Sequence, residues 1–249
     1  MSDGQINDQP AAAAPATERV LAMITPDQTV FLVDVDNTLL DNDRIQADLR
    51  RHLEREFGAA CRDRYWTILE QLFGELGYRD YLGALQRYRV EHPKDIHLLS
   101  MSSYLVDYPF ANRLYPAALD VLERFRGWAR TVILSDGDVV IQPRKVERSG
   151  IFEAVDGHVL IYIHKEEELD DVEQRYPAGH YVLVDDKPRI LATVKKVWGH
   201  WVSTVLPRQG QFAHAPDAAS YPAPDMTVER IGDLLAYDFA NFTADRGIL

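Results

Sequence analysis

Thr29-Val30-Phe31-Leu32-Val33-Asp34-Val35-Asp36-Asn37-Thr38 decides the fold. Its first five residues are a compact apolar, β-branched-rich run that breaks at an aspartate. Such a run without alternation reads as a parallel strand buried on both faces. Working outward, Thr131 to Leu134, Val159 to Ile163, His180 to Val184 and Trp201 to Val205 read the same way. Helical patterns separate them. One opens at Pro116, one near Pro143 stops at Gly150, a charged one follows Lys165, and one runs from Pro188 to Trp198. Strands alternating with helices predict an α/β fold, a parallel sheet covered on both faces. Pro207 to Pro224 reads as loop and Thr227 to Phe239 as a terminal helix.

Between Asp43 and about Tyr108 the period changes. Ile45, Leu49, Leu53 and Phe57 recur at helical spacing, as do Tyr65, Ile68, Leu69 and Leu72. Further helices are expected over Tyr81 to Glu91 and Ile96 to Val106, so residues 43–108 read as an all-helical insert. Residues 1–17, rich in Ala, Pro and polar groups, read as a disordered leader, and Glu18 to Ile24 as a short helix.

The residues that end the strands are polar. Asp34, Ser135, Lys165 and the pair Asp185 and Asp186 all fall at carboxyl ends of strands. Ligands of open parallel sheets bind there. Turns are often polar, which explains each residue singly but explains four strands together poorly.

Composition narrows the partners. The chain has 249 residues and is 46% hydrophobic, enough to bury a core without staples. A net charge of -12 disfavours binding to nucleic-acid backbones, although a local metal or lysine can still hold a small anion. The lone cysteine, Cys61, sits in a helical pattern and reads as a packing residue. The first residues carry neither the basic nor the apolar part of a secretory signal, and no apolar run is long enough to span a bilayer. These features predict a soluble, cytoplasmic protein with no membrane partner.

Asp34-x-Asp36-x-Thr38 at the end of an apolar strand resembles the first motif of the haloacid dehalogenase superfamily. Leu134-Ser135-Asp136 is similar to the second motif, and Val184-Asp185-Asp186 to the fourth. Lys165 is taken for the third because it follows a strand. Lys145 competes, but it falls in the last turn of a helix, where a cation complements the helix terminus. The resemblance implies a Rossmann-like core over residues 18–42 and 109–249 with residues 43–108 as a cap.

The chemistry it implies is phosphoryl transfer. Asp34 is the expected nucleophile, forming an aspartyl phosphate. Asp36 is the expected acid and then base. Ser135, Asp136 and Lys165 are expected to bind the phosphoryl group, Ser135 through its hydroxyl. Mg2+ is expected on Asp34, Asp36 (through its carbonyl) and Asp186, with Asp185 through water or as the alternative ligand. Superfamily dehalogenases usually lack the second aspartate of the first motif, so Asp36 points to a small phosphorylated substrate. An EF-hand loop fails because Leu39 and Ile45 stand where glycine and glutamate are needed. A phosphomutase using the same aspartyl phosphate and a binding protein on the same fold are the alternatives. Arg44, Arg79, Tyr81, Arg87 and Tyr104 are polar candidates for substrate selection in the cap.

Overall fold

A computed structural model describes residues 25–243; the expected leader and the helix over 18–24 lie outside them. The strands are β1 (Thr29–Val33), β2 (Arg130–Asp136), β3 (Val159–Tyr162), β4 (His180–Val184), β5 (Val202–Pro207) and β6 (Met226–Val228). Every pairing is parallel, and the order is β3-β2-β1-β4-β5-β6.

The helices are α1 (Asn42–Phe57), α2 (Ala59–Leu76), α3 (Tyr81–Glu91), α4 (Leu98–Val106), α5 (Ala118–Trp128), α6 (Ile141–Arg148), α7 (Ile151–Ala154), α8 (Leu169–Arg175), α9 (Pro188–Trp198), α10 (Gly210–Ala213) and α11 (Phe239–Thr243). None among the described residues is long and apolar enough to cross a membrane.

The side-chain alternation of β1 divides the core. Phe31 and Val33 face Val121, Leu122 and Phe125 of α5 and Phe242 of α11. Val30 and Leu32 face Leu169 and Val172 near α8 and Ile190, Leu191, Val194 and Trp198 of α9. Each face carries a stacked aromatic pair: Phe31 with Phe125 at 4.2 Å and Tyr181 with Trp198 at 4.3 Å between ring centroids. Such a pair adds about 0.5–1.5 kcal/mol beyond its burial.

Helices α1 to α4 share a core of their own. Ile45, Leu49 and Leu53 meet Tyr65, Ile68, Leu69 and Leu72, with Leu85, Met101 and Leu105 completing it. Ile141 of α6 joins this cluster and so links it to the sheet's side of the molecule. Asp41 caps α1 by accepting the Arg44 N–H at 2.9 Å, and Asp80 caps α3 through the Gly83 N–H at 2.7 Å. Cys61 is buried in α2.

One expectation fails. The terminal helix expected over Thr227 to Phe239 is instead the edge strand β6, a 3-10 turn over Ile231–Ala236 and the short α11. Met226 and Val228 are buried while Thr227 is exposed, which is strand alternation. Ladder bonds to Val205, Leu206 and Pro207 outweigh the local helical pattern. The stretch read as loop holds α10 and a 3-10 turn over Ala218–Ser220.

Candidate active site

Register brings the strand-end residues together. Val33 pairs with Val184 and with Ile133. Asp34 and Asp185 therefore leave adjacent central strands side by side, and Ser135 stands one residue beyond that level on β2. The Asp34 N–H donates to Val184 O at 3.0 Å, extending the ladder to the nucleophile candidate itself. Here the strand order reverses, with β2 and β3 on one side of β1 and β4 to β6 on the other, which opens a crevice.

Lys165 fills the centre of that crevice. Its ammonium is fully buried, 2.6 Å from Asp34 Oδ1, 2.6 Å from Asp185 Oδ2 and 3.2 Å from Leu134 O. Burial opposes its charge, but Asp185 and Asp34 outweigh burial and raise its pKa well above the ordinary value. The Ser135 hydroxyl donates to Asp34 Oδ1 at 3.4 Å and accepts from Gln142 Nε2 at 2.9 Å. Thr38 Oγ1 donates to Asp34 Oδ2 at 3.4 Å and accepts the Asp186 N–H at 3.1 Å, so it ties the first motif to the fourth.

Asp34, Asp185 and Asp186 offer carboxylate oxygens within 4.8 Å of one another, all buried. Asp185 is engaged: Oδ1 accepts the Lys187 N–H at 2.8 Å and Oδ2 faces Lys165. Both side-chain oxygens of Asp186 are buried without a protein partner. Burial pushes the Asp185 carboxyl up to about 6 against the pull of Lys165. Burial and the Asp185 charge push Asp186 well above the usual carboxylate range. An orphaned hard oxygen pair beside two further carboxylates fits a divalent cation such as Mg2+.

Asp36 stands apart from that cluster. Its two oxygens accept from Lys145 Nζ at 2.8 and 2.7 Å. Asp136 also takes a different part. Its carboxylate accepts the Lys165 N–H at 2.8 Å and pairs with Lys187 Nζ at 3.4 Å. Burial alone would raise the Asp136 carboxyl, but Lys165 and Lys187 hold it below the usual range. A carboxylate cannot donate to a phosphoryl oxygen, so Asp136 supports the two lysines rather than offering its side chain to phosphate.

A cavity of about 290 Å³ reaches Asp36 and Asp136 but is not lined by Asp34, Ser135, Lys165, Asp185 or Asp186, which lie buried beside it. Asp36, Asp136, Asp138, Lys145 and Lys187 line its floor. Phe73, Tyr78, Arg79 and Tyr81 wall it from the α2–α3 side, and Phe212 and Tyr221 from the β5–β6 connection. Of the other polar candidates, Arg44 pairs with Asp48 at 3.6 Å, Arg87 with Glu75 at 2.6 Å, and Tyr104 stacks on His52 at 3.7 Å; none of these three lines this cavity.

The loop of the first motif is held from behind. Asn37 has a left-handed backbone, φ 60°, which asparagine tolerates better than most residues. Gln209 Nε2 donates to the carbonyls of Asn37 at 3.4 Å and Thr38 at 3.1 Å. Gln211 N and Nε2 donate to Asp43 at 2.8 and 3.0 Å, and Asp43 in turn binds the Asn37 amide.

The sequence model of the haloacid dehalogenase-like hydrolases matches residues 29–189, more than half of the chain. The protein belongs to that family. A solved haloacid dehalogenase-like hydrolase of Burkholderia xenovorans LB400 is 61% identical, with a TM-score of 0.81 over 86% of this chain and 100% of its own. L-2-haloacid dehalogenase of Xanthobacter autotrophicus, with chloropropionic acid covalently bound, is 18% identical, TM-score 0.55, over 84% and 96% of the two chains. The magnesium-bound hydrolase YfnB of Bacillus subtilis is 16% identical, TM-score 0.57, over 84% and 98%. The last two share the fold. No protein of curated function matches the sequence.

Four members of this hydrolase's site escaped the sequence reading. Lys187 reads as a turn residue before Pro188, yet its ammonium reaches back to Asp136. Gln142 carries no motif of its own; only its place seven residues after Ser135, on the next helix, could have suggested it. Phe212 and Tyr221 lie in a stretch without periodicity, so nothing in the sequence marks them as cavity walls.

Proposed function

We propose that this haloacid dehalogenase-like hydrolase is a magnesium-dependent phosphatase for a small phosphate monoester, acting through an aspartyl phosphate on Asp34. Asp34 attacks phosphorus as the bond to the leaving oxygen breaks, and Asp36 supplies the proton that oxygen needs. Water then attacks the aspartyl phosphate while Asp36 takes its proton, which releases phosphate and restores Asp34. Ser135 Oγ donates to a phosphoryl oxygen, and Lys165 offsets charge between phosphoryl group and nucleophile. Asp34, the Asp36 carbonyl and Asp186 would hold Mg2+, with Asp185 through water. Bound there, magnesium would supply the charge that lets an anionic nucleophile approach an anionic phosphate.

The observation that carries this reading is the pair of unpartnered, buried Asp186 oxygens beside Asp34, together with Asp36 at the cavity floor. A haloacid carries one negative charge and its halide leaves without a proton, so halide displacement needs neither a divalent cation nor an acid such as Asp36. Residues 43–108 serve in this reading as the cap over the cavity.

The test is a panel of phosphate esters and L-2-haloacids, each with and without magnesium. Magnesium-dependent phosphate release in water, without a bisphosphate activator and absent in Asp34→Asn, is the expected result. Halide release without magnesium and without any phosphate release would overturn it. Release only with a bisphosphate activator would make the protein a mutase.

A further inference from the structure

Lys145 has no part in the steps above, although it is one of the most deeply buried charges of the molecule, with its side chain 2% exposed. It reaches from α6 to the floor of the cavity. Its ammonium donates to Asp36 Oδ1 at 2.8 Å, Asp36 Oδ2 at 2.7 Å and Asn42 Oδ1 at 3.0 Å. An ammonium has three N–H groups, so these acceptors use all of them. Nothing is left for a substrate oxygen.

The consequence falls on Asp36, whose side chain is 22% exposed and would otherwise swing about two bonds. Contacts to both oxygens fix the plane of the carboxylate as well as its direction. The third contact anchors the ammonium to the first residue of α1 and so to the helical segment above the cavity. We propose that Lys145 is a positioning residue for Asp36: with Asn42 it holds the acid-base carboxylate in register with the leaving oxygen, and it acts on turnover only through Asp36. This rests on the phosphatase reading.

A lysine acting in this way has a signature that a substrate ligand or a mere packing charge lacks. Lys145→Met keeps the length of the chain and removes the charge. It should lower kcat for an alkyl phosphate by about 10²-fold, the size of loss that small misplacement of a reacting group causes. The loss should be smaller for nitrophenyl phosphate, whose leaving group needs little protonation, and KM should stay close to wild type. In the Asp36→Asn background Lys145→Met should cost nothing further, because residues acting as one unit do not add. Asn42→Ala, which loosens the ammonium without unpairing Asp36, should show the same leaving-group dependence with a smaller loss.

The experiment is this double-mutant cycle in steady-state kinetics with both esters on the full chain, with melting curves for every variant. Additive losses of Lys145→Met and Asp36→Asn, a loss independent of the leaving group, or a loss confined to KM each overturn the inference. If Lys145→Met does not fold, Asn42→Ala in the same cycle decides it by the same criteria. A wild-type protein without phosphatase activity takes down the functional reading first and this inference with it, whereas an active wild type with additive losses takes down the inference alone.

Discussion

Gly210 lies against Asn37 so closely that a Cβ on the glycine would stand 2.4 Å from the Asn37 Cβ and Cγ. Gly210 also has φ 67°, a conformation strained for any other residue. Gly210→Ala should therefore cost about 1–3 kcal/mol from the backbone alone, and more from the overlap. The displaced Asn37 adjoins Asp36, so kcat should fall as well. Melting curves and steady-state kinetics check both, and a variant matching wild type in the two would remove the role given to this contact.

Asp34 and Asp36 should separate kinetically. Asp34→Asn keeps the shape of the side chain and removes the attacking charge, so turnover and covalent phosphate labelling should both vanish. Asp36→Asn should lose about 10²–10⁴-fold on an alkyl phosphate and less on an aryl phosphate. Rapid quench with labelled substrate should trap more phosphoenzyme in Asp36→Asn than in wild type, since water activation slows too. Normal turnover by uncontaminated Asp34→Asn would end the covalent mechanism.

Asp186 is a buried carboxyl whose oxygens have no protein partner. Burial and the neighbouring Asp185 resist its ionisation. Asp186→Asn should raise the melting temperature of the metal-free protein at neutral pH. Magnesium at a hundred times its dissociation constant should stabilise wild type by about 2.7 kcal/mol and the variant far less. Equal magnesium stabilisation of both proteins would reassign the ligand, with Asp185 the first alternative.

His180 sets a pH dependence remote from the site. It is buried at the start of β4, its Nε2 3.0 Å from Ser203 Oγ, and burial lowers its pKa below the usual histidine value. The unfolded chain then binds a proton that the folded chain refuses. Stability from this group is present above about pH 6.5 and is lost as pH falls from there toward the lower folded value. His180→Gln, which does not titrate, should flatten the melting-temperature profile between about pH 7.5 and 5.5. A profile as steep as wild type would show that other groups carry the slope.

What the sequence shows and what it hides have separate physical causes. β1, β2 and β4 are legible because strands buried on both faces are apolar throughout, and their ends mark where Asp34, Ser135 and Asp185 converge. Lys165 is legible by the same rule, since it closes the segment after β3 and meets Asp34 at 2.6 Å. β6 is hidden because three residues cannot display a period, and its pairing with β5 is a distant effect. Lys187 is hidden because a long side chain acts far from its own backbone. Lys145 is half visible: its helix-end position is evident, but the partner Asp36 is 109 residues away.

The placement of helices α1 to α4 between β1 and α5 also sets an order of assembly. Helices α1 to α4 close a core among near neighbours in the chain, whereas Val33 cannot meet Ile133 until a hundred residues have been gathered. Loop closure of that length costs entropy before any ladder bond repays it, and local contacts form faster. During refolding, amides of the helical segment should gain protection against exchange ahead of those in the sheet, and the crevice that orders Asp34, Ser135, Lys165 and Asp185 should appear last, so catalytic competence lags behind the recovery of helical signal.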